Sequence, residues 1–169
     1  MNIEALKSYK NTNKLKKAVL TFIASRLRDA DVQNLKDIFN TLDLNKDGTL
    51  TLDEMKEGIE KLKKDHIDID IEGIFKSIDT DHSWKIDYTE FLAASMDQKL
   101  YLKEKRLFEA FKAFDKDNSG KITKSEIMKL LKLEEESNEK IAELIKDIDT
   151  NGDGEIDYNE FLNMMISNN

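Results

Sequence analysis

The 169-residue sequence predicts an all-α fold, with four helix–loop–helix units paired into two lobes behind a basic amphipathic helix. Three observations predict it. A twelve-residue segment recurs four times, at 43–54 (DLNKDGTLTLDE), 79–90 (DTDHSWKIDYTE), 115–126 (DKDNSGKITKSE) and 149–160 (DTNGDGEIDYNE), with first residues 36, 36 and 34 apart. Apolar residues stand four and one positions ahead of each segment: Phe39 and Leu42, Phe75 and Ile78, Phe111 and Phe114, Ile145 and Ile148. A spacing of three keeps each pair on one helical face. Proline is absent, so nothing breaks the helices from within.

Each segment opens with Asp, closes with Glu and carries an apolar residue at position 8 (Leu50, Ile86, Ile122, Ile156). That pattern fits a hard divalent cation. Calcium takes six to eight oxygen ligands, and a short loop supplies them from side chains at positions 1, 3 and 5. A backbone carbonyl serves at 7, a side chain or bridging water at 9, and a bidentate Glu at 12. The first loop offers Asp43, Asn45, Asp47, Thr49, Thr51 and Glu54, the second Asp79, Asp81, Ser83, Lys85, Asp87 and Glu90. The third offers Asp115, Asp117, Ser119, Lys121, Thr123 and Glu126, the fourth Asp149, Asn151, Asp153, Glu155, Asp157 and Glu160. Lys85 and Lys121 fit position 7, where the carbonyl is the ligand. The pattern resembles the EF-hand loop, and up to four Ca2+ ions are expected.

The sharp turn at position 6 calls for glycine, which Gly48, Gly120 and Gly154 supply. Trp84 stands there in loop two. A side chain at positive φ costs about 1–2 kcal/mol, so site two is expected to bind, more weakly than a glycine version would. His66 and His82 are isolated and read as surface residues.

One unit cannot bury both of its helical stripes, so units must pair. IDYTEFL and IDYNEFL mark units two and four, while units one and three share a Gly-x-apolar-Thr run. The alternation predicts an N-lobe over 31–97 and a C-lobe over 105–169, joined by a linker at 98–104. Leu50 should meet Ile86, and Ile122 should meet Ile156, each pair in a short antiparallel ribbon. Met55, Met96, Met128, Met164 and Met165 lie in or near helices leaving a loop, which favours a groove that opens over a buffer.

The net charge of −8 is unevenly spread. Residues 1–30 hold seven Lys or Arg against Glu4 and Asp29, a net +5, which leaves −13 for the rest. Within this head, 14–27 (KLKKAVLTFIASRL) places Leu15, Ala18, Val19, Phe22, Ile23 and Leu27 on one helical face, with Lys14, Lys16 and Lys17 around it. Such a helix fits an apolar groove or an anionic membrane surface. Its own lobes are the partner expected first. A body carrying −13 argues against nucleic acid. No cysteine is present, so neither disulfides nor a thiolate zinc site can form. An intracellular, cytoplasmic setting is expected.

The stretch NKLKKAVLTFIASRL, running into DADVQNLKDIFNTLD, resembles the junction and calmodulin-like regulatory region of the calcium-dependent protein kinases of plants and apicomplexan parasites. The linker YLKEKRLFEAFKAFD is similar to the parasite versions. The resemblance implies that 1–30 is an autoinhibitory junction helix and that the partner is a Ser/Thr kinase domain of the same polypeptide. That domain is absent from this sequence, and any lipid anchor is expected to lie outside it. No Gly-rich phosphate loop, HRD loop or DFG motif occurs, so no enzymatic activity is expected of the chain itself. The alternative is a free-standing sensor similar to calmodulin or centrin.

Overall fold

A computed structural model describes residues 3–62, 70–131 and 138–167. His66 lies outside the described residues. The chain begins with α1 (Ile3–Lys10) and α2 (Lys14–Ala24), then α3 (Asp29–Leu42), β1 (Thr49–Leu50) and α4 (Leu52–Leu62). The second repeat gives α5 (Ile71–Ile78), β2 (Ile86–Asp87) and α6 (Tyr88–Ser95). A short α7 (Gln98–Tyr101) precedes α8 (Glu104–Phe114), β3 (Lys121–Ile122) and α9 (Lys124–Leu130). The fourth repeat is α10 (Asn138–Lys146), β4 (Ile156–Asp157) and α11 (Tyr158–Ile166). The fold is all-α, with each loop set between two helices.

The chain divides into two compact units. The first comprises residues 1–11 and 24–97, the second residues 12–23 and 98–169. In the first, β1 pairs antiparallel with β2, setting Leu50 opposite Ile86. In the second, β3 pairs with β4, setting Ile122 opposite Ile156. All four of these residues are buried. Phe39 meets Phe91 edge-on in unit one, as Phe111 meets Phe161 in unit two, so the helix entering one loop packs on the helix leaving its partner. The apolar residues ahead of the loops, from Phe39 and Leu42 to Ile145 and Ile148, are all buried.

The basic head differs from the single helix read over 14–27. It folds as two helices. α1 joins unit one, where it packs on α5 and α6, buries Leu6 and Tyr9, and places Lys10 Nζ 2.6 Å from Asp70. α2 belongs to unit two. It ends at Ala24 because residues 25–28 turn the chain into α3, so Leu27 lies beyond the helix and is half-buried. The linker read over 98–104 holds α7 and the first residue of α8.

The ribbon residues have little room to relax. Ile156→Ala is expected to destabilise unit two by about 2–4 kcal/mol, since truncating a fully buried Ile loses transfer energy and leaves a cavity. Urea unfolding of the calcium-free protein measures the loss.

Candidate metal centres

Two carboxylates organise every loop. The Asp at position 1 accepts the position-6 N–H: Gly48 N to Asp43 at 3.0 Å, Trp84 N to Asp79 at 3.0 Å, Gly120 N to Asp115 at 3.1 Å, and Gly154 N to Asp149 at 2.8 Å. The Glu at position 12 brackets the loop. Its Oε1 accepts the position-2 N–H, from Leu44 (3.1 Å), Thr80 (2.8 Å), Lys116 (2.6 Å) and Thr150 (2.9 Å). Its Oε2 accepts the position-9 N–H, from Thr51 (2.9 Å), Asp87 (3.2 Å), Thr123 (2.8 Å) and Asp157 (2.9 Å).

This bracket sits on a helix start. Position 9 is the N-cap of the exiting helix in loops two, three and four, where the side chains of Asp87, Thr123 and Asp157 accept the N–H of the position-12 Glu. Thr51 Oγ1 stands 3.3 Å from Glu54 N in loop one. The position-9 residues, read from sequence as direct or water-mediated ligands, thus also serve as helix caps. The position-7 carbonyls of Lys85 and Lys121 accept the hydroxyls of Ser83 (2.9 Å) and Ser119 (3.0 Å).

The donor set matches calcium in charge and spacing. Asp43, Glu54, Asp79, Glu90, Asp115, Glu126 and Glu160 are all buried, and Asp149 is half-buried. Carboxylates held away from water carry a desolvation cost that hydrogen bonds and a bound cation can offset. In loop two, oxygens of Asp79, Asp81 and Glu90 lie within 4.8 Å of one another, as do those of Asp115, Asp117 and Glu126 in loop three. Two oxygens bound to one calcium at about 2.3–2.6 Å can stand no more than about 5 Å apart. Loops one and four carry Asn45 and Asn151 at position 3, so one converging charge is replaced there by an amide.

Trp84 does not distort its loop. Its φ of 63° enters the region that Gly48, Gly120 and Gly154 occupy at 84°, 87° and 83°, and the residue is 72% exposed. Position 4 is also left-handed in every loop, at Lys46, His82, Asn118 and Gly152. Gly152, Asn118 and His82 are residue types that favour that region, whereas Lys46 gives no sequence signal for it.

The remaining predicted residues fall as follows. In α2, Leu15, Val19 and Ile23 are buried, and Phe22 is half-buried with its ring edge-on to Phe114 at 5.4 Å. Lys14 is exposed and Lys17 half-buried. Lys16 is buried and donates to Ser167 O at 2.6 Å, rather than forming part of a charged rim, and burial lowers the pKa of both Lys16 and Lys17. Sequence reasoning missed α1 as a docked element. Its i, i+3 pair Leu6 and Tyr9 was the available signal.

The position-12 glutamates are not electrostatically alike. Burial pushes the Glu90 carboxyl up, against hydrogen bonds from Thr80 and Asp87. Burial also acts upward on Glu54 and Glu126, but hydrogen bonds led by those from Thr51 and Thr123 hold both below the ordinary range. Folding therefore disfavours ionised Glu90, a cost present above its raised pKa and relieved as pH falls through that range. Glu54 and Glu126 contribute stability above their unfolded pKa that is lost as pH falls through their folded values. In calcium-free protein, side-chain carboxyl NMR titration is expected to show Glu90 protonating at higher pH than Glu54 or Glu126. The reverse order would contradict this account.

Comparison with known proteins agrees with the loop geometry. The family model for the EF-hand domain pair matches residues 10–96 and 104–166. Calcium-dependent protein kinase 11 of Oryza sativa subsp. japonica is 40% identical over 167 residues, 99% of this chain and 29% of the kinase. Calcium-dependent protein kinase 19 of Arabidopsis thaliana is 38% identical across 98% of this chain and 30% of its own length. Calcium-dependent protein kinase 4 of Plasmodium falciparum (isolate 3D7) is likewise 38% identical, across 98% of this chain and 34% of its own. The chain thus spans about a third of the length of the curated relatives it matches. With four bracketed loops coupled in pairs by two ribbons, the chain belongs to the EF-hand domain pair family.

Proposed function

We propose that this chain is a calcium-sensing regulatory domain that switches an attached Ser/Thr protein kinase from an autoinhibited to an active state. One observation carries the reading: four copies of one carboxylate bracket lie in a chain that matches calcium-dependent protein kinases along nearly its whole length. The residues that would hold calcium are those at positions 1, 3, 5, 7 and 12 of each loop, with position 9 contributing directly or through water. Bound calcium supplies the positive charge that makes their close approach favourable.

The chain's own residues then provide the switch. Each position-12 Glu is the third residue of the helix leaving its loop, so a shift of its carboxylate moves that helix. Phe114, which Phe22 of α2 touches, directly precedes the first ligand of loop three, Asp115. The head and the loops of unit two therefore share a structural element. By linkage, α2 and calcium must change each other's affinity by the same factor. In this role the chain is read as a head over 1–30, lobes over 31–97 and 105–169, and a linker over 98–104. The attached kinase domain is the partner, and a cytoplasmic setting suits it. No described helix is long and apolar enough to cross a membrane. A free-standing sensor is the second reading, because the paired loops and their ribbons would serve it equally. A reading frame without an upstream kinase domain would establish it.

Phe22→Ala is expected to weaken calcium binding in unit two. An unchanged calorimetric titration would count against α2 as an intramolecular ligand. Trp84→Gly is expected to tighten site two by roughly tenfold, because removing about 1–2 kcal/mol of backbone strain corresponds to about that factor. Calcium titration followed at the residue-84 amide reads it directly, and no gain at that site would remove strain as the explanation.

A further inference from the structure

The ribbons bring more together than their buried residues. In an antiparallel pair, position 7 of one loop faces position 9 of the other, as Thr49 faces Asp87 and Lys121 faces Asp157. A long side chain at position 7 can then reach further back along the partner loop. Two lysines do so. Lys85 Nζ of loop two lies 3.0 Å from Asp47 Oδ2 of loop one. Lys121 Nζ of loop three lies 2.5 Å from Asp153 Oδ2 and 3.6 Å from Glu155 Oε2 of loop four.

Asp47 and Asp153 occupy position 5, whose carboxylate belongs to the ligand set. In each unit, one loop therefore sets an ammonium on a ligand of the other. The arrangement is one-way. The reciprocal position-7 residues are Thr49 and Glu155, neither a cation. Loops one and four thus carry a resident counter-charge delivered by their partners. These are also the two loops with Asn at position 3, where one converging carboxylate is already replaced.

We propose that Lys85 and Lys121 are tethered competitor cations, each holding the position-5 carboxylate of the partner loop and lowering calcium affinity at loops one and four. This rests on the reading that the loops bind calcium. Two roles separate cleanly at each lysine, since the carbonyl serves its own loop and the ammonium acts on the other. Calcium in loop one competes with Lys85 for the charge of Asp47, and calcium in loop four competes with Lys121 for that of Asp153. The displaced lysine belongs to the loop across the ribbon, so each event is felt at the partner site. Both pairs are partly exposed, with side chains 34–48% accessible, so each is worth no more than a surface ion pair. That corresponds to about a two- to fivefold effect on affinity.

The test uses the full chain and calcium alone, with the position-6 amides of Gly48, Trp84, Gly120 and Gly154 as separate NMR reporters. Lys85→Met is expected to tighten loop one about two- to fivefold and leave unit two unchanged. Lys121→Met is expected to tighten loop four by a similar factor and leave unit one unchanged. Lys85→Arg and Lys121→Arg keep the charge and are expected to show no such gain, and Lys→Gln at either site provides a second neutral variant if Met impairs folding. Unchanged or weakened binding at the partner loop in both neutral variants overturns the proposal, as does an equal gain with Arg. If the parent chain takes up no calcium at any reporter, the underlying reading fails. Uptake by the parent without a shift in the variants overturns the competitor role alone.

Discussion

The position-12 carboxylate is the interaction on which the rest depends. One oxygen of each such Glu takes an N–H from the start of its loop and the other takes an N–H from the end. The same residue is the third position of a capping box, so it fixes where the exiting helix begins. Loop closure and helix nucleation are thus satisfied by one group. A loop without this bracket would leave backbone donors at both of its ends without their side-chain acceptor. The bracket also gathers buried negative charge, which is the feature a calcium loop needs and an ordinary turn avoids.

The ribbon is the second constraint. Two residues per strand would be marginal in isolation, yet Leu50 with Ile86 and Ile122 with Ile156 are among the most buried side chains of their units. Helix packing on both sides holds the strands in register. That register decides which polar groups meet across the loops, and it brings Lys85 and Lys121 to carboxylates 38 and 32 residues away in sequence. The loops of a pair are consequently one electrostatic system.

The basic head belongs partly to each unit. α1 buries Leu6 and Tyr9 in unit one, and its Lys10 meets Asp70, the N-cap of α5. α2 lies within unit two, where Phe22 touches Phe114 and Lys16 reaches the carbonyl of Ser167 beyond α11. A positive net charge of the head suits an acidic body, but particular contacts place it. Lys16 and Lys17 lose part of their hydration to burial in the process, a cost that a purely electrostatic attachment would not carry.

The sequence by itself determined the four loops, their helices, their pairing and the partners at position 8, because ligand chemistry and helical periodicity leave marks at fixed spacings. It also located the apolar residues of α2, since Leu15, Val19 and Ile23 repeat at helical intervals. Only the tertiary structure decided that the head breaks after α1, that the position-9 side chains also cap helices, and that Lys46 takes left-handed backbone. It alone decided the targets of Lys85 and Lys121. Those outcomes depend on which distant groups come into reach once the ribbons form, and a distance across a folded unit has no periodicity along the chain.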